Sequence, residues 1–597
     1  MYTDSQSDTP VPTPHDQATA LDTPIHVLSP FERVFVGVLI LMIFVSGTTL
    51  LYGANKNTLV RLPRPGGTYT EGVVGTPRFI NPLLSASEAD RDLTALVYAG
   101  LMTHDKNGAL VPELASGYTL SEDMTTYTFT LRKGLVFQDG TPLTSADVVY
   151  TVEQAANGAI RSPYAVHWDG VVATAPDEST VVFTLPAPYA PFIENTTLGI
   201  LPKHVWGGLA PDQFPFSQFN ITPVGAGPYK VANVVRDTSG IPARYELARF
   251  DQYALGAPNI EHLNFALYQS NDAVLDAFVK KEVDAVHGVS PEAVNNLLMV
   301  GTIKKSEVHQ VPQLRTYGIF FNQNKQPIFL HDEVRAALEQ ATPKQQIIDT
   351  VLHGYGQVID TPAPPFALSG NNLSSGETAT TTTATARSTE LDAARSTLEE
   401  AGWKRNDQGI YTLTTKKGSQ SLEFTIATVN IPELAQAANL VAASWRELGA
   451  QVEVKVYEST DLTQSVIRPR KFDALLFGTV VGHEVDLYAF WHSSQRNDPG
   501  LNIAEYADIE SDGLLEKART ESNTDARNAL TTSITDRIRA QHAAIFLYAP
   551  DFMYLVRDNI QQVTLHPLTT ADERFDTVQT WYIEVEHVWP FVRDLLH

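Results

Sequence analysis

Histidines and carboxylates are the residue types in this sequence that could do chemistry, and their spacing limits what that chemistry could be. The segment HEVDLY begins at His483, but it lacks the second histidine that an H-E-x-x-H helix uses to place two metal ligands on one face. His483, Glu484 and His492 are compatible with metal ligation, yet they have no ordered ligand spacing. A G-x-x-x-x-G-K-S/T phosphate loop and a G-x-S-x-G nucleophile elbow are also absent from the sequence. We therefore predict no catalytic residue, no metal and no cofactor.

The segment GAGPYKV, from Gly225 to Val231, contains two close glycines and a lysine that could cradle a phosphate. No helix pattern follows the segment, so no helix N-terminus is available to hold an anion. A tight turn that enters a strand explains the same residues, and we predict such a turn here.

The segment YTFTLRKGLVFQDGTPLTSADVVYTVEQA, from Tyr127 to Ala155, contains an acidic turn that could belong to a catalytic loop or a metal site. Its beginning alternates between apolar and polar residues, which predicts a half-buried antiparallel strand. Thr144 and Asp147 then form a capping-box pattern ahead of a helix with an apolar stripe. Turn geometry explains the intervening Asp139 and Gly140, so we predict a structural corner.

Size and charge narrow the classes of function. A chain of 597 residues exceeds one ordinary core and predicts two or three packed units. Its 68 acidic and 43 basic residues give a formal charge of -25, which repels phosphate backbones and disfavours a nucleic-acid partner. The sequence has no cysteine, which excludes disulfides, thiolate metal sites and a lipid on an N-terminal cysteine.

The uncharged stretch from Val34 to Tyr52 is long enough to cross a hydrocarbon core of roughly 30 Å as a helix. It follows a polar tail of residues 1–33, which we expect to be disordered, and precedes a polar linker of residues 53–65. A buried core helix and a cleaved signal peptide are the alternatives, but the acidic leader and the lack of a clear cleavage site favour an uncleaved membrane anchor. Arg33 precedes this stretch whereas Lys56, Arg61 and Arg64 follow it, so counting basic residues alone would place the large domain inside the cell.

The rest of the chain mixes short strand patterns with amphipathic helices, which indicates an α/β or α+β protein. In TPKQQIIDTVLHGYG we predict that Thr342 caps a helix that begins at Pro343. Further helices are predicted in ELDAARSTLEEAGW and in ELAQAANLVAASWRELG, the second followed directly by the strand VEVKVYE. The threonine-rich segment from Ser369 to Glu390 lacks apolar residues, so we predict a flexible surface insertion there.

Several segments resemble the family 5 extracellular solute-binding proteins, the peptide- and nickel-binding group that serves ABC importers. The family's signature resembles YTFTLRKGLVFQDGTPLTSADVVYT. Its N-terminal segment resembles GTPRFINPLLSASEADRDLTALVYAGLMTHDKNGALVPELASGY, and its G-x-G-P-Y strand entry resembles VGAGPYKV. Three later segments of this chain are similar to later blocks of the family: YGIFFNQNKQPIFLHDEVRAALEQATPKQQIIDTVLHGYG, AGWKRNDQG and FWHSSQRNDPGLNIAEYADIESDGLLEKA. These matches run from about Gly66 to Pro550 in the family's order.

The resemblance implies a two-lobed α/β fold of the periplasmic-binding-protein type (type II, cluster C), with hinge-linked lobes that close over a ligand. Lobe I would combine residues 66–312 with 541–597, and lobe II would comprise residues 313–540. The chain would cross between lobes near Val311 to Arg315 and near Gln541 to Leu547. The resemblance also implies ABC transporter permease subunits as partners. It further implies a binding domain outside the cytoplasmic membrane, extracellular or periplasmic, tethered by the single pass at Val34 to Tyr52.

The resemblance implies ligand residues less directly. Peptide-binding members pair an aspartate with the ligand's amino group, but an ungapped alignment puts Val481 there, so Glu484 or Asp486 could take its place. The predicted ligand-binding set is Ser85, Ser87, Tyr317, Asn322, Glu484, Asp486 and Trp491. The expected activity is capture of peptides or related small solutes for an ABC transporter, without catalysis. A carrier of a metal chelate, haem or oligosaccharide, a solute sensor and an extracytoplasmic hydrolase are the alternatives.

Overall fold

A computed structural model of the protein describes residues 29–58, 60–368, 384–416 and 418–588. The chain divides into two compact units. The described part of one unit consists of residues 29–58, 60–62 and 585–588, and the other unit extends from Pro63 to Glu584.

The helices of the described residues are α1 (Pro30–Thr58), α2 (Glu88–Val97), α3 (Ser145–Ala155), α4 (Lys203–Trp206), α5 (Asn271–Val279), α6 (Pro291–Met299), α7 (Asp332–Gln340), α8 (Lys344–Thr350), α9 (Pro365–Leu368), α10 (Ala384–Glu400), α11 (Pro432–Leu448), α12 (Ser459–Asp461), α13 (Tyr488–Trp491), α14 (Ile509–Arg519) and α15 (Thr524–Ala540).

The strands are β1 (Val60–Arg64), β2 (Thr68–Val74), β3 (Met102–His104), β4 (Leu110–Pro112), β5 (Ala115–Leu120), β6 (Thr126–Leu131), β7 (Val172–Asp177), β8 (Thr180–Thr184), β9 (Tyr229–Arg236), β10 (Pro242–Arg249), β11 (His262–Tyr268), β12 (Ala285–His287), β13 (Val308–Pro312), β14 (Arg315–Phe321), β15 (Gly356–Val358), β16 (Lys404–Arg405), β17 (Tyr411–Thr415), β18 (Gly418–Ser421), β19 (Glu423–Val429), β20 (Gln451–Tyr457), β21 (Ala474–Val480), β22 (Ala544–Val556) and β23 (Glu584–Val588).

The helix α1 carries an apolar span at Pro30–Leu50 whose side chains are not buried within the protein, and whose length and composition suit a membrane crossing. It begins before the predicted Val34 because Ser29 and Glu32 form a capping box, with reciprocal backbone bonds of 2.8 and 3.3 Å. It also extends through Thr58 into the segment that we predicted as a linker. The earlier part of the predicted tail, residues 1–28, lies outside the described residues.

The large unit is organised around one mixed sheet in the order β20-β19-β21-β14-β22-β12-β2-β11-β10-β9, with β13 and β15 also paired to β22. The long strand β22 is shared between the two halves of this sheet. Its first part pairs with β14, as in Ile319 opposite Ile545, and its last part pairs with β12, as in Ala285 opposite Val556.

Two large hydrophobic cores flank this shared strand. The first core is built from residues between Tyr69 and Val311 and between Phe552 and Trp581. The second core is built from residues between Ile319 and Ala549. The chain therefore passes from the first core to the second between β13 and β14, and it returns within β22. The strand β22 pairs with β14 as far as Tyr548 before this return.

The predicted strand, turn and helix around Asp139 are confirmed. Tyr127, Phe129 and Leu131 of β6 are buried, and the Asp139 carboxylate accepts the Thr141 N–H at 2.9 Å in the turn. The helix α3 then begins at Ser145, and the Asp147 carboxylate accepts the Thr144 N–H at 2.9 Å. The acidic turn is a structural corner, as the local sequence pattern predicts.

The Gly225 turn is also confirmed, because β9 begins directly after it at Tyr229. A Cβ on Gly225 would lie 2.1 Å from the Val97 carbonyl oxygen, so the backbone of this turn approaches α2 too closely for any side chain. The Gln138 side chain connects the end of α2 with the start of β9, since its amide donates to the carbonyl oxygens of Val97 and Tyr229 at 3.0 and 2.8 Å.

One sequence prediction needs correction, whereas the predicted pair of α11 and β20 is confirmed. Thr342 does not cap α8, because its hydroxyl donates to the Leu338 carbonyl at the end of α7, and α8 begins after Pro343. Residues 384–390 of the predicted insertion form the beginning of α10. Residues 369–383 of that insertion lie outside the described residues.

Candidate ligand-binding site

A cavity of about 1100 Å³ lies between residues of the two cores. Its side chains from the region of the first core include Ser85, Arg91, His104, Glu113, Tyr164, Tyr189, Glu194, Tyr253, Asp572, Glu573 and Asp576. Those from the region of the second core include Val481, His483, Glu484, Asp486, Tyr488, Glu516 and Arg519. This volume is slightly above the usual range of about 300–1,000 Å³ for small-molecule sites, so the cavity can hold a solute larger than one amino acid.

The second core contributes to the cavity through residues 481–487, which we call the cavity loop. The loop begins where β21 ends, and the Val481 N–H donates to the Leu314 carbonyl at 2.8 Å. Gly482 has φ +81, a left-handed conformation that favours glycine and turns the chain towards the cavity. The loop is thus fixed to the sheet at the point where the chain crosses between cores.

Arg519, at the end of α14, presents a cation to the cavity in a fixed orientation. Its guanidinium carbon lies 4.7 Å from the Tyr189 ring centroid and 4.4 Å from that of Tyr488, so it is held between two aromatic faces. Its Nε lies 3.1 Å from the Asp486 carboxylate, which also accepts the Tyr189 hydroxyl at 3.2 Å. Burial, reinforced by Asp486, raises the pKa of Tyr189 to about 12, so this hydroxyl stays protonated and acts as a donor.

Glu484 of the cavity loop forms an ion pair with Arg527 of α15. Burial raises the pKa of Glu484 although the Arg527 guanidinium acts in the opposite direction. Arg527 also donates to the Glu521 carbonyl at 3.0 Å, so the pair anchors the cavity loop to α15. Neither Glu484 nor Asp486 is therefore a free carboxylate that awaits an amine.

Three histidines from distant parts of the chain meet at one wall of the cavity. The rings of His104 and His483 stack with centroids 4.1 Å apart, and the centroid of His566 lies 5.6 Å from that of His104. His104 lies between Glu194 at 3.1 Å and Asp576 at 3.3 Å. Burial alone would lower the pKa of His104, but the hydrogen bonds to Asp576 and Glu194 raise it well above its ordinary value.

Two carboxyl groups of the cavity hold protons near neutral pH. Burial raises the pKa of Glu113 to about 8, even though this side chain accepts the Tyr253 hydroxyl at 2.6 Å and the Gly100 N–H at 2.9 Å. Burial, with the negative charge of Glu573 as the next cause, raises the pKa of Asp572 to about 7. The cavity therefore contains protonated as well as ionised acids.

The structure places the predicted ligand residues in two groups. Ser85, Glu484 and Asp486 line the cavity, whereas the described lining does not include Ser87, Tyr317, Asn322 or Trp491. The Ser87 hydroxyl caps α2, and the Asn322 amide donates to the Arg470 carbonyl at 2.8 Å.

The two aromatic residues of that second group serve packing. The Tyr317 ring stacks on Tyr548 at 5.1 Å. Trp491 is 2% exposed and packs against Phe320, Tyr506 and Phe546, so its contacts are those of a core residue. Val481 does line the cavity, at the place where the resemblance led us to look for an amine-binding aspartate.

Sequence reasoning missed Arg519, Tyr189, Glu113 and the grouping of the histidines. It paired His483 with His492, but His492 lies beside Glu516 at 3.4 Å, whereas His483 lies 2.9 Å from Glu573. These residues come from segments that are far apart in the sequence, and only the fold brings the segments together.

Comparison with known proteins finds one matching family model and several similar proteins. A family model described as bacterial extracellular solute-binding proteins, family 5 Middle, matches residues 109–499. Protein XP55 of Streptomyces lividans is 29% identical over 510 residues, which cover 83% of this chain and 85% of that protein. The oligopeptide-binding protein AppA of Bacillus subtilis is 25% identical, with 89% and 95% of the two chains covered.

Solved structures share the fold. AppA of Bacillus subtilis in complex with a nonapeptide has a TM-score of 0.66 at 24% identity, with 88% of this chain and 100% of that chain covered. NikZ of Campylobacter jejuni in complex with Ni(L-His) has a TM-score of 0.65 at 23% identity, with 86% and 99% covered. The predicted two-lobed α/β fold is thereby confirmed. Because the family model spans more than half of its length, the chain belongs to the bacterial extracellular solute-binding proteins of family 5.

Proposed function

We propose that this protein captures peptides in the cavity between its two cores and delivers them to the permease subunits of an ABC transporter. The observation that carries this proposal is that side chains from the regions of both cores line one cavity of about 1100 Å³ in a family 5 fold. A ligand that contacts both walls favours the closed arrangement, which is how such a protein converts binding into a conformational signal.

The cavity offers partners for both ends of a peptide. Arg519 is oriented by Asp486 and two tyrosine rings, and its guanidinium can receive a terminal carboxylate through paired hydrogen bonds. Glu573 and Asp576 of the opposite wall are acids that can attract an amino group. Val481 supplies no charge for the amine, so the amino end of the ligand would be bound elsewhere than in relatives that have an aspartate. The relatives AppA and the dipeptide-binding protein of Escherichia coli are named for peptides.

We assign the two cores to the two lobes. Lobe I would comprise residues 66–312 and the chain after the return within β22, and lobe II would comprise the chain between these passages, with the crossings at residues 313–314 and 549–551. Of the predicted ligand residues, Ser85, Glu484 and Asp486 remain in the proposed site, with Glu484 and Asp486 as residues that position Arg527 and Arg519.

We further propose that α1 is an uncleaved single-pass anchor and that the binding domain lies outside the cytoplasmic membrane. The apolar span Pro30–Leu50 would hold the domain at the membrane, where a lipidated cysteine cannot do so because the chain has none. The protein would act without catalysis, because its role requires the solute to be released unchanged.

Incubation of the full chain, purified in detergent, with a pool of synthetic peptides tests this function. Mass spectrometry of retained and free peptides should show saturable, selective retention without cleavage products. Time-dependent cleavage of the pool would refute the binding role, and the absence of any retained peptide would refute peptides as the solute class. A chain with Arg519→Ala and Glu573→Gln together provides the matched control, since it should retain much less peptide from the same pool.

A further inference from the structure

The histidines beside the cavity belong to a group of potential metal ligands, in which only Glu573 also has a part in the proposed capture of peptides. His483, His566 and Glu573 each offer one ligand atom, and these atoms all lie within 4.8 Å of one another. Within this group, His483 Nε2 and Glu573 Oε2 lie 2.9 Å apart. Ligand atoms around a tetrahedral ion with bonds of about 2.0–2.1 Å lie about 3.4 Å apart, so shifts of roughly 1 Å suffice for coordination.

The orientation of His566 is already set for a ligand. Its Nδ1 lies 2.8 Å from the Pro567 carbonyl oxygen, which can accept only a hydrogen bond, so this nitrogen carries the proton. The other nitrogen, Nε2, lies 3.2 Å from the Asp576 carboxylate, and a metal ion bound to Nε2 would replace the proton between these two groups. A backbone carbonyl that fixes the tautomer and ring orientation in this way is the usual support of a metal-binding histidine.

The charge around the group suits a dication. Asp576 lies 3.2 Å from His566 Nε2, and Glu194 and Asp576 flank the neighbouring His104. These acids can offset the charge of an ion that displaces protons from the histidines.

We infer that His483, His566 and Glu573 form a site for a divalent transition metal, of the zinc, cobalt or nickel type, which links the two sides of the cavity. Two imidazoles and one carboxylate are a ligand set for such ions, whereas magnesium and calcium require mainly oxygen ligands. Three protein ligands leave at least one coordination position open, and this position would face the cavity, which His483 and Glu573 line.

The placement of the ligands gives the ion a consequence for the fold. His483 belongs to the cavity loop that follows β21, whereas His566 and Glu573 lie in the chain that returns to the first core. An ion bound to all three would connect the cavity loop directly to the opposite wall. This inference does not depend on the identity of the transported solute, because the ligands are all side chains of the protein.

Metal titration of the full chain tests the inference directly. The untagged protein, purified in detergent and stripped with a chelator, is titrated with Zn²⁺ alone by calorimetry and with Co²⁺ alone by visible absorption. We expect one tight Zn²⁺ per chain and a Co²⁺ spectrum typical of four- or five-coordination. If neither Zn²⁺ nor Co²⁺ binds saturably, the inference is wrong.

Single variants connect the binding to these residues. His483→Gln and His566→Gln should each lower Zn²⁺ affinity by at least about 100-fold. Replacement of residues that only support the metal ligands already lowers metal affinity about 10- to 100-fold. His167→Gln, a change at a histidine that lines the same cavity outside the group, should leave the affinity unchanged. Circular dichroism monitors folding, and two independent variants keep the test valid if one misfolds. Unchanged affinity in a folded His483→Gln or His566→Gln chain would show that the ion binds elsewhere.

Discussion

Arg519 and Asp486 form an ion pair at 3.1 Å inside the cavity, with the guanidinium held between the rings of Tyr189 and Tyr488. Asp486 is therefore occupied by a cation of the protein itself. Its role is to orient Arg519, and the guanidinium is the group of this pair that we propose for a carboxylate of the solute.

Replacement of Arg519 by alanine should weaken the binding of peptides that have a free C-terminal carboxylate. A hydrogen bond to a charged group contributes about 1.5–3 kcal/mol, so we expect a loss of about tenfold or more in affinity. Calorimetry on a peptide selected from the pool, in its free-acid and C-terminally amidated forms, measures the effect.

The amidated peptide is the matched control for Arg519→Ala. The affinity for the amidated peptide should change little. For the free acid, the affinity of Arg519→Lys should lie between those of wild type and Arg519→Ala, because lysine keeps the charge but lacks the planar guanidinium. Equal losses for both peptides would argue against a carboxylate at this position.

Replacement of Arg574 by methionine should destabilise the first core strongly. The Arg574 guanidinium donates to Asp92 at 2.7 and 2.8 Å and to Glu71 at 3.1 Å, and all three side chains are fully buried. Removal of the cation leaves two buried carboxylates without the positive charge that balances them, which costs about 3–5 kcal/mol. The shift of the urea unfolding midpoint measures this loss.

Arg244→Ala is the surface counterpart for that comparison. Arg244 pairs with Glu246 at 2.6 Å, but both side chains are well exposed to solvent. Such pairs contribute at most about 1 kcal/mol, so the midpoint should hardly move. Similar shifts in the two variants would mean that the buried triad is not a major source of stability.

The stability of the protein should fall with rising pH because of Glu113, and Glu113→Gln should remove this contribution. The unfolded state ionises this carboxyl above the ordinary pKa of 4.5, whereas the folded state keeps it protonated up to about pH 8. Between these values the unfolded state binds fewer protons, so stability declines by up to about 1.4 kcal/mol per pH unit. Urea unfolding of both chains from pH 5 to pH 8 measures the difference, and parallel pH profiles would disprove the assignment.

Replacement of Gly225 by alanine should destabilise the turn that precedes β9. The added Cβ would meet the Val97 carbonyl oxygen at 2.1 Å, a backbone atom that cannot rotate away, and forced repacking of this kind costs about 1–3 kcal/mol. Gly208→Ala is the control, because nothing lies within 4 Å of its Cβ position. Thermal unfolding should separate the two variants, and equal midpoints would contradict the close approach of the turn to α2.

Features that depend on neighbouring residues could be predicted from the sequence. The capping pattern at Thr144, the apolar stripe of α11 and the glycine after it concern residues within a few positions of one another, and all three led to the correct elements. The start of α1 was also predictable, because Ser29 and Glu32 have capping-box spacing. Thr342 shows the limit of such patterns, since its hydroxyl bonds to the preceding helix instead.

The site could be predicted only in part, because its contacts join segments that are far apart in the chain. Asp486 lines the cavity, but its carboxylate is paired with Arg519, which belongs to a different helix and carries no motif. His104, His483 and His566 come from three separate regions. Their juxtaposition depends on the return of the chain through β22, which residue spacing does not encode.

The shared strand β22 also determines the order in which the protein can be assembled during synthesis. The second core is contiguous and ends at Ala549, whereas the first core needs partners from both ends, such as Glu71 and Arg574, separated by 503 positions. At about 5–20 residues per second, the early segment must wait on the order of half a minute or more for its partner. The N-terminal half therefore emerges first and completes its core last, which makes it the part of the nascent chain that most needs protection from aggregation.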